Sequence, residues 1–108
     1  MPIPFESFEA DGLQPSQRQA IREVLEHYPC VRAATLYGSR AMGRHRPGSD
    51  IDLTLMGDID LFTLNTISNT LDDLMLPYVI DLSAFNLIDN DALKQHIQRV
   101  GKLFYQAT

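Results

Sequence analysis

Leu36-Tyr37-Gly38-Ser39-Arg40-Ala41-Met42-Gly43, followed after five residues by Ser49-Asp50-Ile51-Asp52-Leu53, is the stretch that decides the fold. An apolar run ends in a turn of small residues, and a short basic loop then leads into alternating acids and aliphatics. Val31 to Tyr37 is rich in strand formers and predicts a strand that delivers the chain into Gly38. Asp50 to Met56 alternates, with Ile51, Leu53 and Leu55 on one side and Asp50, Asp52, Thr54 and Met56 on the other, the period of a second strand. Gly38 lets backbone approach an anion, Ser39 adds a hydroxyl and an amide, and a helix starting there turns its positive end toward that anion. Residues i and i+2 of a strand project the same way, so Asp50 and Asp52 can share a cation.

Outward from this stretch, helices and strands alternate. Ile21, Val24, Leu25 and Tyr28 recur at helical spacing between Pro15 and Pro29. Asp60 can cap a helix whose stripe is Leu64, Ile67, Leu71 and Leu74. Tyr78 to Ser83 alternates again, with Tyr78, Ile80 and Leu82 inward and Val79, Asp81 and Ser83 opposite. Asn90 is placed to cap a last helix with Leu93, Ile97 and Val100 on one face, and Gly101 to end it. Leu103, Phe104 and Tyr105 read as a final short strand or a packed tail, or as an apolar segment available to a homo-oligomer interface. The sum is a small α/β (α+β) domain with a mixed sheet and helices on one face. Residues 1–14 read as an N-terminal arm and residues 15–108 as the domain.

Composition narrows the function. The 108 residues are 44% hydrophobic and 21% charged, as expected of one soluble domain with a modest core. No apolar run approaches the ~20 residues of a membrane span, and Met1 to Glu6 lacks the regions of a signal peptide. The cytoplasm is the expected compartment. Cys30 is the single cysteine, which leaves no internal disulfide or thiolate zinc site and makes it core. A net charge of −5 argues against extended nucleic-acid binding. The positive charge that is present clusters at Arg40, Arg44, His45 and Arg46, which suits a compact polyanion. His27 and His96 fall on helices and read as surface or boundary residues, with His45 the histidine nearest the site.

Each part has a bland explanation alone: an Asp-x-Asp pair is commonly a solvated strand edge, and Gly-Ser a turn. Asp81 is harder to dismiss because it interrupts the apolar run Val79-Ile80-Asp81-Leu82, where an unpaired acid is disfavoured. If the third strand lies beside the second, Asp81 joins Asp50 and Asp52. Three carboxylates on one face repel unless a cation is present, and oxygen ligands select magnesium or manganese. In a two-ion site Asp50 and Asp52 would bridge both metals, while Asp81 would hold the second and take the proton of an acceptor hydroxyl. Arg40, Arg44 or Arg46 would neutralise a triphosphate. No Ser-His-Asp or Cys-His set points to covalent hydrolysis, and no Gly-x-x-x-x-Gly-Lys loop to a P-loop enzyme.

Taken in order, Gly38-Ser39-Arg40-Ala41-x-Gly43, Ser49-Asp50-Ile51-Asp52-Leu53 and Ile80-Asp81-Leu82 resemble the signature of the minimal nucleotidyltransferases of the DNA polymerase β superfamily. The resemblance covers roughly residues 15 to 105. It implies the polymerase-β-like palm, two magnesium ions with manganese as substitute, and transfer of a nucleoside monophosphate from a triphosphate, expected to be ATP, to a hydroxyl with release of pyrophosphate. By that likeness Asp50, Asp52 and Asp81 are the metal-binding catalytic triad, and Gly38, Ser39, Arg40, Arg44, Arg46 and Ser49 the nucleotide-binding set.

Larger relatives carry an added acceptor-binding domain, for which this length leaves no space. Stand-alone members are typically encoded beside a small helical partner of the HEPN or substrate-binding type. In some pairs that partner is a toxin ribonuclease and the minimal transferase is its antitoxin, adenylylating a tyrosine on it. The resemblance therefore leaves three readings: a transferase subunit working with a helical partner, an antitoxin acting by adenylylation or by binding, and a nucleotide-binding module without turnover.

Overall fold

The computed structural model describes residues 11–108. Helix α1, Pro15–Glu26, begins with proline in its first turn and a reciprocal cap between Gln14 and Gln17, and it ends before Pro29. Strand β1, Val31–Tyr37, runs straight into α2, Gly38–Ala41. After the basic loop come β2, Ile51–Gly57, and α3, Leu61–Asp72, whose Thr63 amide donates to Asp60 Oδ1 at 2.7 Å. Strand β3, Ile80–Ala84, leads through a 3₁₀ turn to α4, Asp91–Val100, capped by Asn90. The apolar C-terminal segment is β4, Lys102–Gln106.

The sheet order is β3-β2-β1-β4, with β2 and β3 parallel and the other two pairs antiparallel. It is the mixed sheet that the alternating pattern predicts, with α3 as the crossover a parallel pair requires. Ile21, Leu25, Ile67 and Leu71 of α1 and α3 pack with Leu36, Ile51, Leu53 and Leu55 in one fully buried cluster. Cys30 packs at its margin. In the final segment only Phe104 is core, because alternation sends Leu103 outward, 64% exposed.

Three details depart from the sequence reading. Helices cover one face for α1 and α3, but α4 lies against the other: His96 meets Tyr37 edge-on with ring centroids 6.3 Å apart, and Tyr37 pairs with Asp52 on the acid-bearing face. Gly101 closes α4 without a left-handed turn, its φ being −64°. What it supplies is space, since a side chain there would lie 2.5 Å from Thr35 Cγ2. The end of the predicted arm is built in, with Leu13 fully buried and the Asp11 carboxylate bonded to Arg18 at 2.7 Å. The rest of that arm, residues 1–10, lies outside the described residues.

Candidate active site at the acid-bearing sheet face

Parallel pairing of β2 and β3 sets Asp52 directly opposite Asp81, and antiparallel pairing with β1 sets Tyr37 on the other side of Asp52. One register thus aligns Tyr37, Asp52 and Asp81 across three strands, with Asp50 two residues before Asp52. The next row inward is Thr35, Thr54 and Ser83. Thr54 is fully buried, and the Ser83 hydroxyl donates to its Oγ1 at 2.9 Å, so the floor beneath the acids is polar but satisfied.

Gly38 is fitted to Asp52 as tightly as to any anion. Its φ is +73°, and a side chain would place its first carbon 2.2 Å from Asp52 Oδ2. The glycine therefore keeps one carboxylate oxygen uncovered. Helix α2 has four residues, too short to sum a useful dipole, so the expected positive helix end reduces to the free amides of a first turn.

The acids feel each other. Burial holds the Asp52 carboxyl above the ordinary carboxylate range, the charges of Asp81 and Asp50 raise it further, and His96 opposes them. Burial likewise keeps the Tyr37 phenol protonated above its usual range; a hydrogen bond with Ser83 works the other way, and Asp81 and Asp52 reinforce the rise. Among the described residues, no three His, Cys, Asp or Glu side chains converge closely enough to enclose an ion. The expected triad thus shares a face and a field without being a closed cage, as unscreened carboxylates require. In kind it fits a hard divalent cation: oxygen donors only, mutual repulsion for an ion to relieve, and a glycine gap over Asp52.

Several predicted residues stand elsewhere. Asp81 is exposed and Val79 is 65% exposed, so the argument from an acid among buried neighbours does not hold; register alone brings Asp81 to the site. Arg40 is only 2% exposed and bonded to backbone carbonyls, which removes it from the expected triphosphate clamp. Ser49 is tied into its own turn, its hydroxyl accepting from the Arg46 amide at 2.8 Å and its carbonyl from Arg40 at 2.9 Å. Arg44 and Arg46 are exposed on the loop. His45 lies against Gly12, which Arg40 also approaches, while His96 is the histidine whose charge reaches Asp52. Tyr37, Ser83 and His96 are the additions. Ser83 is legible as a position sharing the face of Asp81, whereas Tyr37 comes to that face only through the register of β1 with β2, and nothing local in α4 points to β1.

Residues 19–108 match the family described as polymerase beta, nucleotidyltransferase. The chain belongs to that family. No curated protein matches this nucleotidyltransferase at a significant level. Among solved structures it is similar to a chain of a toxin-antitoxin with AMP-PNP, at 20% identity and a TM-score of 0.69 over 84% of this chain and 74% of that one. A complex of tri-AMPylated Shewanella oneidensis HEPN toxin with MNT antitoxin matches at 18% identity and 0.65, over 85% and 71%. A putative nucleotidyltransferase from Sulfolobus solfataricus matches at 16% and 0.54, over 82% and 76%. At these identities the likeness is one of fold, the mixed sheet with helices that the chain displays.

Proposed function

We propose that this nucleotidyltransferase is of the minimal type and transfers a nucleoside monophosphate, with ATP as donor, to a hydroxyl on or presented by a separate helical protein, releasing pyrophosphate. The observation that carries the reading is the register setting Asp52 opposite Asp81 beside the side-chain-free Gly38. Magnesium bound there would neutralise charge developing on the phosphoryl oxygens, with Asp50, Asp52 and Asp81 as its ligands. The chain's own groups do the rest. Gly38 and the amides that follow leave room for the triphosphate beside the metal that Asp52 would hold. Arg44 and Arg46, exposed in the loop, balance the triphosphate. Asp81, exposed on the edge strand, is open to an acceptor hydroxyl and takes its proton. Tyr37, protonated and buried beside the acids, contributes a neutral donor to that cluster.

The similar structures favour a second reading within the same chemistry. Several are toxin-antitoxin complexes, and one contains an AMPylated HEPN toxin. The acceptor hydroxyl would then belong to a HEPN partner, and the transfer would serve an antitoxin. Intact acids speak against a module that only binds nucleotide. Incubating the chain with magnesium, ATP and the helical protein encoded beside it, followed by intact-mass measurement of both, is the test. A gain of one AMP on the neighbour supports adenylylation of a partner. Pyrophosphate release only with added small hydroxyl compounds supports a substrate-binding subunit, and the absence of both results sinks the transfer reading.

A further inference from the structure

Arg40 is the most deeply buried charge among the described residues, although it stands inside the turn that opens onto the site. Its Nε and Nη2 donate to the Ser49 carbonyl at 3.1 and 2.9 Å, and Nη1 donates to the Asp11 carbonyl at 2.7 Å. Its guanidinium lies over the Tyr78 ring, 4.6 Å from the centroid. These partners have one thing in common with each other and with the site. Ser49 immediately precedes Asp50 and stands three residues before Asp52, and Tyr78 stands three before Asp81. The two lead-ins are also joined directly, the Ile51 amide donating to the Val79 carbonyl at 2.9 Å.

We infer that Arg40 is a positioning residue that sets the entry of β2 and β3 and hence the spacing of the three carboxylates, and that it makes no contact with triphosphate. The inference rests on the nucleotidyl-transfer reading for its kinetics but not for its metal binding. A guanidinium suits the task because its planar fork donates twice to one carbonyl and once to another while its face stacks on a ring. A lysine keeps the charge and loses that geometry. Tyr78 stands two residues ahead of β3, packed against the core as alternation predicts, with its ring under the Arg40 guanidinium. Asp11 completes the frame, its carboxylate held by Arg18 at 2.7 Å and by the Leu13 amide at 3.0 Å.

The test compares wild type with Arg40→Lys and Tyr78→Leu, the second leaving the guanidinium bonds in place should the first fail to fold. Three quantities are read: the thermal melt, the affinity for Mn²⁺ alone in the nucleotide-free chain by calorimetry, and kcat and KM for ATP from pyrophosphate release with magnesium and either the helical neighbour or the hydroxyl compound found to act as acceptor. For Arg40→Lys, Mn²⁺ affinity should fall about tenfold or more. Its kcat should fall about tenfold to a hundredfold, with KM for ATP within about twofold of wild type. Tyr78→Leu should move the same quantities the same way by less. A large rise in KM with kcat retained would make Arg40 a triphosphate ligand, and unchanged Mn²⁺ affinity in the folded variants would also overturn the inference. If wild type turns over no ATP the transfer reading fails, and the Mn²⁺ arm decides the role of Arg40 alone. Wild type that binds no Mn²⁺ alone overturns the inference about Arg40, while its turnover of ATP decides the transfer reading separately.

Discussion

At Gly38 a carboxylate oxygen occupies the space a side chain would need. Gly38→Ala must therefore either expel Asp52 or strain a left-handed residue, at a cost of about 1–3 kcal/mol. The expected outcome is a lower melting temperature together with loss of pyrophosphate release, whereas a substitution at Gly48, which faces open space without a left-handed φ, should touch neither the melt nor Asp52 through contact. Asp52 makes a pH prediction of known sign. Its folded-state carboxyl is raised by burial and by two neighbouring acids, so its contribution to stability is fully present below the unfolded value near 3.8 and is lost as pH rises through the raised value. In metal-free buffer at neutral pH, Asp52→Asn should raise the melting temperature by a few degrees, and the gain should disappear in acid. Equal melts at neutral pH would contradict it. The glycine and the acids were legible because their chemistry is local. Arg40 was not, since a charge is visible in sequence but its burial depends on Ser49, Tyr78 and Asp11 arriving from three other segments.

At the scale of elements, alternation finds β2 and β3, strand-forming composition finds β1, and β4 reads equally as a packed tail, while caps at Asp60 and Asn90 find the starts of α3 and α4. What periodicity cannot carry is the face on which an element docks. Helix α4 has the apolar stripe of any surface helix, yet it brings His96 to Tyr37 on the acid-bearing side. Asn90→Ala removes the side chain that accepts from the Leu93 amide at 3.0 Å and should cost about 1 kcal/mol, read as earlier thermal unfolding. Residues 11–14 show the converse limit, because a segment without periodicity reads as an arm even when it ends in core. Leu13 is fully buried against that core. Leu13→Ala should destabilise by about 2–5 kcal/mol in denaturant titration, while an arm residue would change stability by a few tenths at most.

For the whole molecule, strand order is the fact that sequence withheld and function needs. Within the order β3-β2-β1-β4, the placing of β2 between β1 and β3 lines up Tyr37, Asp52 and Asp81, and strand order comes from crossover packing that no local pattern encodes. The family match over residues 19–108 and the shared fold agree with the mixed sheet and its helices. No helix among the described residues is long and apolar enough to cross a membrane. Arg44 and Arg46 are exposed on the loop between α2 and β2, and the net charge of −5 argues against a long polyanion. The central claim is that the aligned acids direct nucleotidyl transfer, and ATP labelled at either the α- or the γ-phosphate tests it most directly. With magnesium and the helical protein encoded beside this chain, the α-label should pass to the acceptor and the γ-label should leave in pyrophosphate, both events being lost in Asp52→Asn. Transfer of the γ-label, or α-label transfer that survives Asp52→Asn, would contradict the account.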